Sequence, residues 1–516
     1  MSRSCPAHDI GSILPPVELP PMELPIMELP LLEPRMNSHV AQLRKPAGLV
    51  DREAQWKELA GLWHSPRPEL IFVLGRRRVG KSFVLGPLAR ATSGLYYQAS
   101  KRTENEQLLN LSQAIGSAFN DPALQRGVAF PNWEALLDDL TDRASQRPLL
   151  VVLDEFPYLA EAAPGLTSLI QRYWDHQWSR LPIKLVLSGS HITAMQQLEE
   201  GDQPLYGRRT ARISMQPFSY RQIADFVPHY SSEDLLRAYG IFGGLPGHLA
   251  LLDPRADLAA NVARVVLNPN GRLFDDAQHM LDAFLADAAV HYSIVEAIAR
   301  GERTWSRITS RVGRDGGALL RPVQWLQDMN VIRRVTPITE AEARVSKRAL
   351  YEIADPYLTF WHRFVAPLVG SGSAASTDGA LLWRKVIAPR LDDYMGEVFE
   401  GVCREFVYAG KGMRFKPIRT GRWWDASSQN EIDIVATDGG TRALVAECKW
   451  GHVDMRDLRK LQERTQLMLK ELNGVTSVKY ALFSRHRPVD RALLAEISAG
   501  RVMWLGLNSL LPSPKQ

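Results

Sequence analysis

The run GRRRVGKS, Gly75–Ser82, sets residue types at a spacing suited to one task, holding a chain of phosphates. Gly75 and Gly80 let the backbone curl until successive N–H groups face an anionic oxygen, with Arg76, Arg77, Arg78 and Val79 making the turn between them. Lys81 would reach the β- and γ-phosphates of a nucleoside triphosphate, and the Ser82 hydroxyl would take a place on Mg2+. The helix opening at Lys81 adds its positive N-terminal end. The expected ligands are ATP and Mg2+.

An acidic pair stands further along. Leu149–Leu153 reads as a buried strand with Asp154 and Glu155 at its carboxyl end, where doubly wound sheets bind ligands. Asp154 is expected in the Mg2+ shell, and Glu155 is expected to orient and polarise the attacking water. The bland alternative is a pair of acids capping the next helix. Ser188, in the Ser188–Ser190 end of a later strand, suits a polar sensor of the γ-phosphate or an ordinary cap. Arg208 and Arg209 come next. They suit an arginine finger, in cis or from a neighbouring subunit of a homo-oligomer, or else a solvated basic turn.

The last quarter carries a second chemical set. Glu447 and Lys449 alternate on one strand and so share a face, and Asp433 comes from the strand before. Asp433 and Glu447 could coordinate a divalent ion that lowers the pKa of a hydrolytic water, with Lys449 supporting the nucleophile or oxyanion. Glu400 faces inward from a helix, Asp392–Tyr408. Glu and Lys in register also form polar strand surfaces that do no chemistry. Arg456, Arg459, Lys460 and Arg464 could hold a phosphate backbone or simply face solvent.

These residues require particular elements behind them. LIFVLG, LYYQAS, LLVVLD and IKLVLSGS alternate with helical segments, which predicts a parallel sheet between helices, an α/β fold. Tyr239–Leu252 places Gly243, Gly244 and Pro246 between two helices, as in a lid. Ala289–Pro337 reads as three helices followed by a two-stranded wing, completed by RALYEIAD. A winged helix of this kind reads DNA through its third helix or serves as an intramolecular regulator. Gly370–Gly379 (GSGSAASTDG) reads as a flexible linker.

Composition narrows the class. The chain has 516 residues, enough for about three domains, and a formal charge of +5 that permits nucleic-acid contact without requiring it. Cys5, Cys403 and Cys448 have no metal-like spacing, and no apolar run is long enough to cross a bilayer. The N-terminus lacks the pattern of a secretory signal, so a reducing cytoplasm is expected, with no membrane partner. Pro16–Pro34 repeats every five residues and predicts a disordered arm, and Met36 is a candidate natural start.

GRRRVGKS, the LDEF strand end, LSGS, LYGRR and FGGLP occur in the order found in archaeal-type P-loop ATPases of the AAA-related, signal-transduction branch, and residues of about 45–365 resemble that family. The C-terminal order of helix, strands and helix, with Glu400, Asp433, Glu447 and Lys449, resembles the PD-(D/E)XK nuclease superfamily, although Ile432 replaces its usual Pro. The resemblance implies five segments: a Pro-rich arm at 1–40, the ATPase core and lid at 41–285, a winged helix at 286–369, the linker at 370–379 and a restriction-endonuclease-like α/β domain at 380–516. The implied function couples ATP binding and hydrolysis to a metal-dependent nuclease-like domain acting on nucleic acid. The competing expectation is a nucleotide-operated switch whose C-terminal domain binds DNA or protein without cleaving.

Overall fold

The computed structural model describes residues 43–282, 288–340, 346–373, 377–410 and 415–511. The Pro16–Pro34 repeat lies outside them, as do residues 374–376 of the Gly-Ser segment.

Five parallel strands form the first sheet: β1 (Glu69–Leu74), β2 (Leu95–Gln98), β3 (Leu149–Asp154), β4 (Ile183–Gly189) and β5 (Ala211–Ser214), in the order β2-β3-β4-β1-β5. Every residue of β1, β3 and β4 is buried, as continuous apolar runs require when helices cover both faces. Those helices are α1 (Glu53–His64), α2 (Lys81–Ala91), α3 (Glu104–Phe119), α4 (Trp133–Gln146) and α5 (Leu166–His176). A capping box at Thr103 and Glu106 starts α3, which fixes where the chain leaves β2. Four of the strands are the apolar runs seen in the sequence. The fifth, β5, is an edge strand within GRRTARIS, where charged residues face outward and hide the strand pattern.

After the sheet come α6 (Ser232–Phe242), which ends at Gly243, and a three-helix group, α7 (Ala288–Ala299), α8 (Trp305–Val312) and α9 (Gly316–Asp328). Two antiparallel strands follow, β6 (Ile332–Val335) and β7 (Leu350–Ile353), with Arg333 opposite Glu352. A short helix, α10 (Pro356–Phe360), runs into a π-helical turn at Trp361–Val365. Beyond the Gly-Ser segment, α11 (Ala388–Ala409) leads to a mixed sheet of β8 (Arg419–Trp424), β9 (Glu431–Thr437), β10 (Arg442–Lys449), β11 (Ser477–Ser484) and β12 (Val502–Leu505). Strands β8, β9 and β10 pair antiparallel, whereas β10, β11 and β12 pair parallel, with α12 (Met455–Leu469) crossing between β10 and β11.

The apolar core does not stop at the Gly-Ser segment. Phe242 of α6, Leu326 of α9, Trp361 before that segment and Phe399 and Val402 of α11 after it belong to one continuous buried cluster. The turn between β6 and β7 also reaches the C-terminal sheet. Ile338 is buried with Trp423, Ile432 and Leu458, and its N–H donates to the Arg422 carbonyl at 2.8 Å.

Candidate functional site

The phosphate loop leaves β1 at Leu74 and enters α2 at Lys81. A Cβ on Gly75 would lie 2.7 Å from the Met215 carbonyl oxygen, so only glycine lets the loop pass this close to the chain after β5. Lys81 is buried and donates from Nζ to the Gly75 carbonyl at 2.9 Å, folded back across the loop it would serve. Burial lowers its pKa, against the pull of Glu155 and Asp154. The Ser82 hydroxyl donates to Asp154 Oδ2 at 2.6 Å, and the Tyr96 hydroxyl donates to the same oxygen at 2.8 Å. Ser82 and Asp154 thus bring two hard oxygens together at the carboxyl edge of the sheet, a donor set that fits Mg2+.

Glu155 is held differently. Its backbone is left-handed, with φ of 52°, and its side chain caps nothing in the helix that follows. Instead Oε2 accepts from the Ser190 N–H at 2.9 Å and the Ser190 hydroxyl at 2.7 Å, while Oε1 lies 3.7 Å from Lys81 Nζ. Ser188 is fully buried and its hydroxyl makes no hydrogen bond among the described residues. The polar contact at this strand end is therefore made by Ser190, two residues beyond Ser188.

A cavity of about 450 Å3 opens beside the loop. Lys81, Ser82 and Glu155 line its polar end, and Leu49, Val50, Phe218, Phe226, Pro246 and Ala250 line an apolar end of the kind that takes a flat aromatic base. Arg52 joins the two ends. Its Nη2 donates to the Val79 carbonyl at 3.0 Å, and its guanidinium sits 4.4 Å from the Phe218 ring centroid. This wall was not assigned from sequence. Phe218 and Phe226 lie on a segment with no periodic signal.

The arginines of the loop diverge. Arg76 is buried and donates from Nη1 to Asp355 Oδ2 at 3.0 Å. Arg78 pairs with Asp276, which also meets His248 Nε2 at 3.0 Å. Arg77 is exposed and lines the cavity. The side chains of Arg76 and Arg78 thus face carboxylates of later elements, leaving their backbone to the phosphate turn. Arg208 and Arg209 do not line this cavity. Arg208 forms a two-pronged pair with Asp175 at 2.8 and 2.7 Å, and Arg209 pairs with Glu199, so within one chain neither reaches the loop.

The second set gathers around β9 and β10. Glu447 and Lys449 share one face of β10, and the Asp433 carboxylate crosses from β9 to accept the Cys448 N–H at 2.7 Å. Burial and the neighbouring Glu447 push Asp433 up to about 7. Burial and Asp433 push the half-buried Glu400 up to about 7, and burial also raises Glu447. Each of these groups has a cationic or anionic neighbour. Arg464 of α12 lies 3.3 Å from Glu447, Asp457 pairs with Lys449, and Arg422 Nη2 lies 3.8 Å from Glu400. Two neighbouring, partly buried carboxylates suit a divalent cation chemically. Among the described residues, however, no three His, Cys, Asp or Glu side chains converge as a metal site. Cys403 and Cys448 are buried free thiols.

The fold and loop define a class, and similarity to known proteins agrees with it. Residues 49–252 match an ATPase domain found predominantly in Archaea, so the chain carries an archaeal-type ATPase domain and is an ATPase. Residues 361–461 match a family described as archaeal and bacterial proteins of unknown function. An uncharacterized protein of Methanocaldococcus jannaschii is 29% identical over 420 residues, covering 80% of this chain and 90% of its own length. Among solved structures, a Walker-type ATPase of Pyrococcus abyssi aligns with a TM-score of 0.47 and 21% identity, over 61% of this chain and 96% of its own. The Aeropyrum pernix ORC2 protein aligns with a TM-score of 0.39 and 16% identity, over 65% and 97%. Among the described residues no helix is long and apolar enough to cross a membrane.

Proposed function

We propose that this ATPase couples its nucleotide state to a C-terminal PD-(D/E)XK-like domain that acts on nucleic acid with Mg2+, in the cytoplasm. The observation that carries the reading is the placement of Asp433, Glu447 and Lys449 at adjacent points of β9 and β10, on a sheet whose antiparallel half meets a parallel half at β10. In the nucleotide site, Lys81 and Ser82 would hold the phosphates and the metal edge, Asp154 would complete that edge, and Glu155 would orient and polarise the attacking water. At the C-terminal site a bound metal would supply an activated water and brace the phosphodiester. Asp433 and Glu447 would hold it, and Lys449 would face the developing negative charge once freed from Asp457.

The three helices and the β6–β7 pair form a winged helix in this reading, and it acts inside the molecule. Its wing turn is already buried against β8 through Ile338, which favours an intramolecular regulator over a free DNA reader. A second reading has its own support. Glu447, Lys449 and Glu400 each sit beside an oppositely charged side chain, as a C-terminal domain that binds without cleaving would allow.

Cleavage of supercoiled plasmid and single-stranded oligonucleotides in Mg2+ or Mn2+, with and without ATP, separates the two. Nicking that disappears in Lys449→Ala and changes in Lys81→Ala is the expected result. ATP hydrolysis without cleavage of any substrate would overturn the nuclease reading in favour of the binding switch.

A further inference from the structure

Two of the least exposed ion pairs in the molecule share one short segment, Glu352-Ile353-Ala354-Asp355. At one end the Asp355 carboxylate holds Arg76 of the phosphate loop, with side chains 4% and 6% exposed. At the other end Glu352, 5% exposed, holds Arg422 of β8, 7% exposed. Two residues, Ile353 and Ala354, separate the two acids, and the three chain steps span about 10 Å when extended.

Each end leads to one of the two candidate sites. Arg76 follows Gly75 directly and lies in the turn that would curl around phosphate. Arg422 turns its other terminal nitrogen to Glu431 and lies 3.8 Å from Glu400. A guanidinium thus stands at the edge of the C-terminal carboxylate cluster, and Glu352 of the wing anchors it there. Arg303 and Arg333 also surround Glu352. Although burial raises its pKa, Arg422, Arg333 and the other arginines outweigh burial and bring it down to about 2.

The segment between the ends is stiff. Glu352 lies in β7, paired with Arg333 of β6, and Ala354 donates from its N–H to the Val331 carbonyl at 2.8 Å. Asp355 caps α10 by accepting the Tyr357 N–H at 3.0 Å. The lid packs against the same carboxylate, since a Cβ on Gly243 would lie 2.6 Å from Asp355 Oδ1. Tyr394 of α11 donates to the Pro356 carbonyl at 2.9 Å and the Gly240 carbonyl at 2.6 Å, closing the same joint from the other side. The Arg76–Asp355 pair is made or broken, because a half-separated pair leaves an uncompensated buried charge, whereas Arg303 and Arg333 stay with Glu352 when Arg422 moves.

We infer that Glu352–Asp355 is the coupling element between the nucleotide site and the C-terminal carboxylate cluster, with Arg76 reporting the state of the phosphate loop and Arg422 setting access to Glu400. The inference rests on the reading of that cluster as a working site and specifies its regulation. A change of loop geometry at Arg76 is passed to Asp355, and the rigid step to Glu352 passes it to Arg422. By reciprocity, a ligand bound at the C-terminal cluster alters affinity for ATP by the factor with which ATP alters its own, and a variant at Arg422 that biases the same equilibrium also moves the affinity for ATP.

The test uses the full chain and reads amide hydrogen exchange at β8 and α11, with and without ATP and Mg2+, beside the dissociation constant for ATP. In the wild type, ATP changes exchange in β8 several-fold. In Glu352→Gln, which keeps the shape and removes the charge, that response disappears while ATP still binds. Arg422→Gln shifts the ATP dissociation constant by about five-fold or more, within the usual range for coupled sites. Asp355→Asn keeps the cap on α10 and breaks the link from its other end, so the test stands even where Glu352→Gln folds poorly. Exchange in β8 indifferent to ATP in the wild type, or a response that survives both variants, would overturn the inference. Cleavage is not a readout here, so the nuclease reading and the coupling element can fail separately.

Discussion

Replacing Asp355 by Asn isolates the charge of the Arg76–Asp355 pair from everything else the residue does. The Asn oxygen can still accept the Tyr357 N–H, so the cap on α10, worth about 1 kcal/mol, is retained. What is lost is the negative charge beside a guanidinium whose side chain is 6% exposed and whose Nη2 already lacks a partner among the described residues. Removing one member of a buried pair costs about 3–5 kcal/mol, and with the Asn oxygen on the Tyr357 N–H the amide NH2 is turned to the Arg76 guanidinium, so no hydrogen bond offsets that loss. Arg76→Met strands the carboxylate instead and should cost a similar amount. With Arg76→Met and Asp355→Asn together no charge is stranded, so the double variant should be more stable than the sum of the single losses by about 2 kcal/mol or more. Equilibrium urea unfolding followed by tryptophan fluorescence, with m compared across all four proteins, measures this directly. Losses that add to within about 0.5 kcal/mol would refute the pair as a coupled buried unit.

Two further outcomes are expected. Ser190→Ala keeps the N–H bond to Glu155 and loses the hydroxyl bond. A charge-assisted hydrogen bond of about 1.5 kcal/mol corresponds to about a ten-fold fall in kcat for ATP, with KM unchanged and Ser190→Thr restoring much of the rate. A rise in KM at constant kcat would show that Ser190 serves binding instead. His362 is buried with both ring nitrogens unpartnered among the described residues, and burial lowers its pKa to about 4. The unfolded chain takes up this proton near pH 6.5, so the folded state is fully favoured above that value and loses stability as pH falls toward 4, by about 3 kcal/mol in all. His362→Phe should flatten that stretch of the acid limb in urea midpoints measured from pH 7 to 4.5, and equal slopes in both proteins would count against it.

The parts legible in the sequence were those whose logic is local. GRRRVGKS after an apolar strand, and Asp154-Glu155 at the end of another, take the places in the fold that the sequence predicts because strand, turn and helix are consecutive in the chain. The strands bearing Asp433, Glu447 and Lys449 were visible as short apolar runs, with alternation only at the ends that carry these residues. What stayed hidden depends on distance. Arg76 meets its partner 279 positions away, and three consecutive arginines look alike until the fold sends each to a different neighbour. Ser188 and Ser190 differ only in which faces Glu155, and the left-handed turn at Glu155 decides that. Arg208 and Arg209 meet Asp175 of α5 and Glu199 of a turn, both earlier in the chain, which their own spacing does not reveal.

The seat of Ile338 on β8 has a consequence for handling the protein. Strand β8 is an outer strand of its sheet, with β9 on one side only. The β6–β7 turn covers part of the other side: Ile338 bonds the Arg422 carbonyl, Arg419 donates to the Ile338 carbonyl at 2.7 Å, and Arg348 donates to the Trp424 carbonyl at 3.0 Å. Bare outer strands recruit strands from other chains, and natural proteins shield them. A C-terminal fragment cut at the Gly-Ser segment would leave that shield behind, exposing β8 to self-association and the buried face of Trp423 to water. The β6–β7 turn therefore shields the sheet it touches, and fragments meant to isolate that sheet should begin before β6.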